Sequence, residues 1–197
     1  MILIGLTGGV GMGKSKSAEL LAERGLPVVD TDLLARQVVA RGQPALEEIR
    51  KEFSDAVIDK DGCLDRAAMA RIAFGDDVSR RRLEAIVHPR IRDLWVKEVE
   101  RWRSAGQAFG VVVIPLLFET DAASAFGAVI CVACSPASQR RRLEARGWSA
   151  TQIDQRITSQ WPIQKKMDHS RFVIWTEPSV QVHREQLDQI LRRLSPK

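Results

Sequence analysis

The sequence predicts an α/β fold: a parallel five-stranded sheet in a three-layer core, with a helical insertion. Three observations lead there. Short apolar runs alternate with helical patterns along the chain, which is how parallel strands and their crossover helices read. The first apolar run ends in a glycine-rich turn that opens a helix. The stretch from about Leu33 to Gly106 carries helical patterns and no convincing strand, so it is expected outside the sheet.

Taken in order, Ile2–Thr7 reads as the first strand, and a helix starts near Lys14 and stops at Gly25, a residue suited to the left-handed position after a helix end. Leu26–Asp30 reads as a second, buried strand. In the insertion, Ala45–Phe53 is expected to be helical and Asp59-Lys60-Asp61-Gly62 to turn. Asp65 is placed to cap a helix ending near Phe74-Gly75. A helix from about Asp77 to Val87 and a longer one from Pro89 to Ser104 follow, the latter with Leu94, Trp95, Val99 and Trp102 as an apolar stripe. The sheet resumes at Val111–Ile114 and Val129–Ala133. Pro136 opens an arginine-rich helix, with shorter helices at Thr151–Gln160 and Pro162–His169. A strand at Phe172–Trp175 and an amphipathic helix at Val180–Leu194 close the pattern. The expected division is a core of residues 1–32 and 107–197 and an insertion of residues 33–106.

A chain of 197 residues fits one domain, or one domain with an inserted subdomain. Its 45% hydrophobic and 28% charged residues are ordinary for a globular protein. Met1 leads straight into Ile2-Leu3-Ile4-Gly5 with no basic leader, and with no long apolar run either, neither export nor a membrane span is expected. Three cysteines, Cys63, Cys131 and Cys134, are an odd number in a chain that needs no staples; they point to a reducing, cytoplasmic setting. Cys131 and Cys134 have no second pair or nearby histidine and read as core residues of a strand. The net charge of +5 suits an anionic partner without choosing among nucleic acid, a membrane surface and a phosphorylated metabolite. Nothing in the sequence selects a monomer or a homo-oligomer.

Gly8-Gly9-Val10-Gly11-Met12-Gly13-Lys14-Ser15 satisfies the phosphate-loop pattern G-x-x-x-x-G-K-[ST] in full. It also stands between a strand and a helix, as that loop requires. Glycines let backbone N–H groups turn inward around phosphate oxygens, and the helix N-terminus adds partial positive charge. Lys14 is the group to reach the β- and γ-phosphates, and the Ser15 hydroxyl is the one to ligate Mg²⁺. The fold is therefore expected to be the P-loop NTPase core, binding a nucleoside triphosphate. Asp30 and Asp32 flank Thr31 at the carboxyl end of the second strand, where ligands of open α/β sheets bind. Two apart in extended backbone, they would point to one side. Asp32 is the candidate to orient an acceptor hydroxyl and take its proton, with Asp30 the alternate; either could instead cap the helix near Leu33.

The order of these segments closely resembles the dephospho-coenzyme A kinase family. The resemblance rests on Leu6-Thr7 with the loop through Ser15, Val29-Asp30-Thr31-Asp32, Gly62-Cys63-Leu64-Asp65-Arg66, Phe74, Leu83-Glu84 and His88-Pro89-Arg90-Ile91. It continues through Pro115-Leu116-Leu117-Phe118-Glu119, the spaced Gln139, Arg142 and Arg146, then Arg156-Ile157, Gln160, Pro162 and Lys166. It implies transfer of the γ-phosphoryl group of ATP to the ribose 3′-hydroxyl of dephospho-coenzyme A, with Mg²⁺ as cofactor and neither nucleic acid nor membrane as partner. It further implies that the insertion of residues 33–106 binds the coenzyme A moiety of the acceptor, that a helical lid spans roughly 137–168 within the core, and that Lys14, Asp32 and Arg142 have catalytic roles. Nucleotide contacts are implied at Gly8, Gly9, Gly11, Met12, Gly13, Lys14, Ser15, Lys16, Arg142 and Arg146, and acceptor contacts at Asp30, Asp32, His88, Leu117 and Glu119.

On their own terms, Arg142 and Arg146 are four apart and would share a helix face, where guanidinium forks suit phosphate oxygens. Arg140 and Arg141 would point into solvent. Glu119 is expected to hold a metal-bound water, to pair with an arginine, or to form a purely structural ion pair. His88 before Pro89 marks either a helix start or an acceptor contact. Two positions depart from the family pattern: Lys16 stands where threonine is usual, and Thr176 where Ala-Asp-x-Val-Ile-x-Asn would end in asparagine. The second leaves the preference for ATP over GTP open. A kinase for another small acceptor, such as a nucleoside monophosphate, would share the loop and lid but not the His-Pro and Pro-Leu-Leu-x-Glu segments. A nucleotide switch or nucleic-acid-binding module would fit the charge, but the chain lacks a switch-type Asp-x-x-Gly after the third strand and an aromatic-studded basic motif.

Overall fold

The computed structural model describes residues 1–177 and 179–195, and the side chain of Phe74, one of the residues carrying the resemblance, lies outside the described residues. The chain opens with β1 (Ile2–Gly8), α1 (Lys14–Ala22) and β2 (Val28–Asp30). Four helices follow: α2 (Thr31–Val38), α3 (Pro44–Phe53), α4 (Arg66–Gly75) and α5 (Asp77–Ser104). Then come β3 (Phe109–Val113), β4 (Ala128–Ala133), α6 (Pro136–Glu144), α7 (Ala150–Thr158), α8 (Ile163–Asp168), β5 (Phe172–Trp175) and α9 (Val180–Leu194). Two compact units result, one of residues 1–30 with the chain from Arg101 onward, the other Thr31–Glu100. The boundary therefore precedes Thr31, and Asp32 belongs to the helical unit rather than to the core.

In the first unit the five strands form one sheet in the order β2-β3-β1-β4-β5, and every pairing is parallel. Parallel strands are covered on both faces, which explains why β1, β3 and β4 read as unbroken apolar runs. Ile4, Leu6, Val111, Val113, Ile130, Val132 and Ile174 pack with Leu20, Leu21, Leu187, Ile190 and Leu194 of α1 and α9. Each such side chain contributes about 1.5–3 kcal/mol on burial. The alternate positions of β1 and β3 meet larger groups: a Cβ on Gly5 would lie 2.7 Å from Leu117 Cδ1, and one on Gly110 would lie 2.6 Å from the Trp102 ring. Leu6 pairs with Val113 and so does Asp30, so the phosphate loop and Asp30 leave the sheet at the same edge. With β1 between β3 and β4, that edge is the crevice where the strand order reverses.

The helical unit encloses its own apolar cluster of Val38, Val39, Ala45, Ile49, Val57 and Met69, with Leu83, Ile86, Val87, Ile91 and Leu94 of α5 packed against it. Asp65 caps α4 as its position predicts, its Oδ1 accepting from the N–H groups of Ala67 and Ala68 at 2.9 Å. Gly62 takes the left-handed conformation in the predicted turn. Trp95 and Val99 are buried, as is Trp102 in the first unit.

Three expectations are corrected. The two helices expected on either side of His88-Pro89 are one 28-residue helix, α5, with Pro89 inside it. Proline removes one helical hydrogen bond at a cost of about 3 kcal/mol, which the apolar contacts on both sides of it offset. Arg90 also braces that turn, donating to the Ile86 carbonyl at 2.6 Å and to Glu48 at 2.5 Å. His88 is therefore mid-helix and marks no helix start. Asp30 and Asp32 do not share an extended segment, because α2 begins at Thr31 and puts Asp32 in its first turn. Finally, Arg142 and Arg146 do not share a helix face, since α6 ends at Glu144 and Arg146 falls in the turn beyond it.

Candidate phosphate-binding site

The loop from Gly8 to Lys14 follows a path that only glycine permits at its two ends. Gly8 has φ 143°, and a Cβ there would lie 2.1 Å from the Val132 carbonyl oxygen. Gly13, at φ 103°, precedes α1 with no side chain capping the first turn and no acidic residue in it. A helix start left in that state favours an anion.

Side chains fix the loop between these ends. Gln139 Nε2 donates to the Val10 carbonyl at 2.8 Å, while the Val10 N–H donates to Gln160 Oε1 at 3.0 Å. Thr176 Oγ1 donates to the Met12 carbonyl at 2.9 Å. The Lys14 ammonium folds back over the loop, 2.8 Å from the Gly8 carbonyl and 3.0 Å from that of Gly9. Ser15 is exposed at the start of α1. The Lys16 side chain pairs with Glu19 at 2.7 Å. Met12 is buried with Ala133 and Cys134, and its side chain is core.

The arginine-rich helix divides its residues. Arg142 reaches the end of β5, Nη1 donating to Thr176 Oγ1 at 2.8 Å and Nη2 to the Thr176 carbonyl at 2.6 Å. Arg140 and Arg141 are exposed, as expected; on the surface Arg140 pairs with Asp154 of α7, and Arg141 donates to Ser138 Oγ at 3.1 Å. Arg146 is exposed.

Among the described residues Glu119 meets no arginine. It pairs with Lys166, whose side chain is fully buried, at 2.7 Å. The same Oε1 accepts from the Trp161 N–H at 2.8 Å, and Lys166 also donates to the Pro115 carbonyl at 2.7 Å. Glu119 Oε2 is buried with no hydrogen-bond partner among the described residues. Leu117, placed by the resemblance among acceptor contacts, is fully buried against Gly5. Its side chain offers no surface to a substrate. Phe118 stacks on Trp161 at 5.9 Å, and Lys165 Nζ lies 3.4 Å from the centre of that indole ring. Burial raises the Cys131 thiol to about 11, which fits an inert core cysteine.

The first unit thus joins the loop and Arg142 through Thr176 and sets Asp30 at the same edge of the sheet, with Glu119 joined to the loop through adjacent residues Gln160 and Trp161. Asp32, exposed in α2, and His88, half-buried in α5, belong to the helical unit. Gln139, Gln160 and Lys166 carry the resemblance but receive no role from sequence reasoning. For Lys166 a signal exists: Ile163, Lys166 and Met167 have the i, i+3, i+4 spacing of one helix face, so the lysine interrupts an apolar stripe. The glutamines carry no such signal, because their partners are backbone groups far along the chain. Among the described residues no group of three or more His, Cys, Asp or Glu is placed to hold a metal ion. No helix among them is long and apolar enough to cross a membrane.

Comparison with known proteins agrees with this geometry. A dephospho-CoA kinase from Bdellovibrio bacteriovorus is 38% identical over 191 residues, spanning 97% of this chain and 95% of the relative. The crystal structure of TT1252 from Thermus thermophilus superposes with TM-score 0.87 at 34% identity, covering 99% of this chain and 98% of that one. The dephospho-CoA kinase from Campylobacter jejuni gives TM-score 0.71 at 25% identity over 98% and 96% of the two chains. The family model for dephospho-CoA kinase matches residues 2–181, and the chain belongs to that family.

Proposed function

We propose that this chain transfers the γ-phosphoryl group of ATP to the ribose 3′-hydroxyl of dephospho-coenzyme A, giving coenzyme A and ADP, the last step of coenzyme A synthesis. The observation that carries the reading is the loop: its path, its uncapped helix start and the Lys14 ammonium above it suit a triphosphate tail. In this reading Lys14 exchanges loop carbonyls for β- and γ-phosphate oxygens. Arg142 and the exposed Arg146 neutralise charge on the donor. Ser15, exposed at the start of α1, suits Mg²⁺, which is held by few protein groups and by phosphates and water. Ser15 would hold it by its hydroxyl, and the ion, when bound, supplies charge neutralisation at the phosphates.

Asp32 takes the acceptor proton in this scheme. Phosphoryl transfer depends more on position and charge than on a strong base, so an ordinary carboxylate suffices. Asp30 and His88 contact the acceptor, and Glu119 Oε2 accepts a hydrogen bond from bound substrate or water. Gln160, Trp161 and Lys166 tie their segment down, so lid closure over ATP is confined to the part around α7. Three free cysteines support a cytoplasmic setting.

The test is ADP release from Mg-ATP with a panel of acceptors, with the product identified. Turnover with dephospho-coenzyme A and little with nucleoside monophosphates supports the reading; the reverse pattern overturns it.

A further inference from the structure

Thr176 stands just past β5, at the position where the family pattern ends in asparagine. It is only 8% exposed, and it touches three separate parts of the nucleotide unit. Its N–H donates to the Ala133 carbonyl at the end of β4, at 3.0 Å. Its hydroxyl donates to the Met12 carbonyl of the phosphate loop at 2.9 Å, with Ala133 O at 3.3 Å as the other acceptor within reach. The same oxygen and the Thr176 carbonyl accept two parallel hydrogen bonds from Arg142, at 2.8 and 2.6 Å. Its side chain also lies against Gly13, where an added Cβ would come within 3.2 Å of Thr176 Cγ2.

From this hub we infer that Thr176 is a positioning residue, which sets the plane of the Arg142 guanidinium relative to the phosphate loop before the nucleotide arrives. The stoichiometry of donors supports it. A guanidinium carries five N–H groups in one rigid plane, and the fork on Thr176 engages two of them. Orientation is fixed while three donors remain for phosphate oxygens. A hydroxyl suits the task because one oxygen both donates and accepts. Its single proton goes to the loop carbonyl and its lone pair receives the arginine, so loop and guanidinium are held through one atom. An arginine has several rotatable bonds, and holding it in place beforehand removes an ordering cost from nucleotide binding and from transfer.

The inference rests on the proposed role of Arg142 at the donor phosphates, and the experiment separates the two. Thr176→Val keeps the bulk against Gly13 and removes the hydroxyl; Thr176→Ser restores it. Steady-state kinetics with ATP and dephospho-coenzyme A should show kcat/KM for ATP reduced about tenfold in Thr176→Val, the scale of one hydrogen bond to a charged group. KM for the acceptor should be unchanged, and Thr176→Ser should recover most of the loss. In an Arg142→Gln background, Thr176→Val should cost clearly less than in the parent, since the guanidinium it positions is gone and only its bond to the loop is lost. Additive losses, a fully active Thr176→Val, or failure of serine to rescue would overturn the inference while leaving Arg142 in its role. A fully active Arg142→Gln would overturn that role, and the positioning of it as well. Thermal unfolding of each variant guards against misfolding. If the valine variant does not fold, Thr176→Ala carries the same comparison.

Discussion

The two units solve the problem of a stable interior differently. Of the eight buried polar or charged residues described, seven (Thr7, Ser17, Ser138, Gln139, Lys166, Thr176 and His183) lie in the nucleotide unit and only Thr31 in the helical one. The nucleotide unit therefore holds its functional loop with buried side-chain donors and acceptors whose partners are specific atoms. The helical unit closes on an apolar cluster, and ion pairs such as Arg82–Glu52 stay half-exposed on its surface. Apolar packing tolerates changes of shape that a buried hydrogen bond does not. One region is built to keep a geometry, the other to keep a volume.

Substitutions in the two regions should therefore differ in kind, and the largest effect belongs to the loop. Lys14→Ala should lower kcat/KM by about a thousandfold, as loss of a preorganised charge at a developing anion does, with the unfolding temperature little changed. Asp32→Asn in the helical unit should reduce kcat while leaving nucleotide affinity, read by titration calorimetry, near that of the parent. Next comes the buried pair. Lys166→Met leaves the Glu119 carboxylate without its counter-ion and should cost about 3 kcal/mol in denaturant unfolding, which adding Glu119→Gln should partly restore. Arg82→Ala, at an exposed pair, should cost under about 1 kcal/mol. Equal costs at Lys166 and Arg82 would erase the contrast.

The smallest effect is a pH dependence. His183 is 4% exposed and lies 2.9 Å from Ser17 Oγ, and burial holds its imidazole below the ordinary 6.5. The unfolded chain then binds this proton more readily than the folded one. Stability from this group is present above about pH 6.5 and lost as the pH falls through that value toward the lower folded one. His183→Gln should flatten this part of the profile of unfolding temperature against pH; an unchanged slope would locate the dependence elsewhere.

The same contrast explains what could be read from the chain alone. Strand runs such as Val111–Val113 and the Gly8–Ser15 loop are local signals, because strand burial and loop path are set within a few residues. Asp65 as a cap is equally local. Pro89 misleads because packing of α5 outweighs one lost hydrogen bond. Arg146 misleads because helix spacing holds only while the helix lasts, and α6 stops two residues earlier. The Gln139–Val10, Gln160–Val10 and Thr176–Met12 bonds join residues 129 to 164 apart in sequence, and no local pattern encodes them.

The proposed reaction moves a phosphoryl group from ATP to one hydroxyl of one acceptor. Phosphorus NMR of the product formed from Mg-ATP and dephospho-coenzyme A tests it most directly. The expected result is a new phosphomonoester on the ribose 3′-oxygen, formed one for one with ADP and absent with Lys14→Ala. A phosphate on another oxygen, or ADP released with the acceptor unmodified, would contradict it.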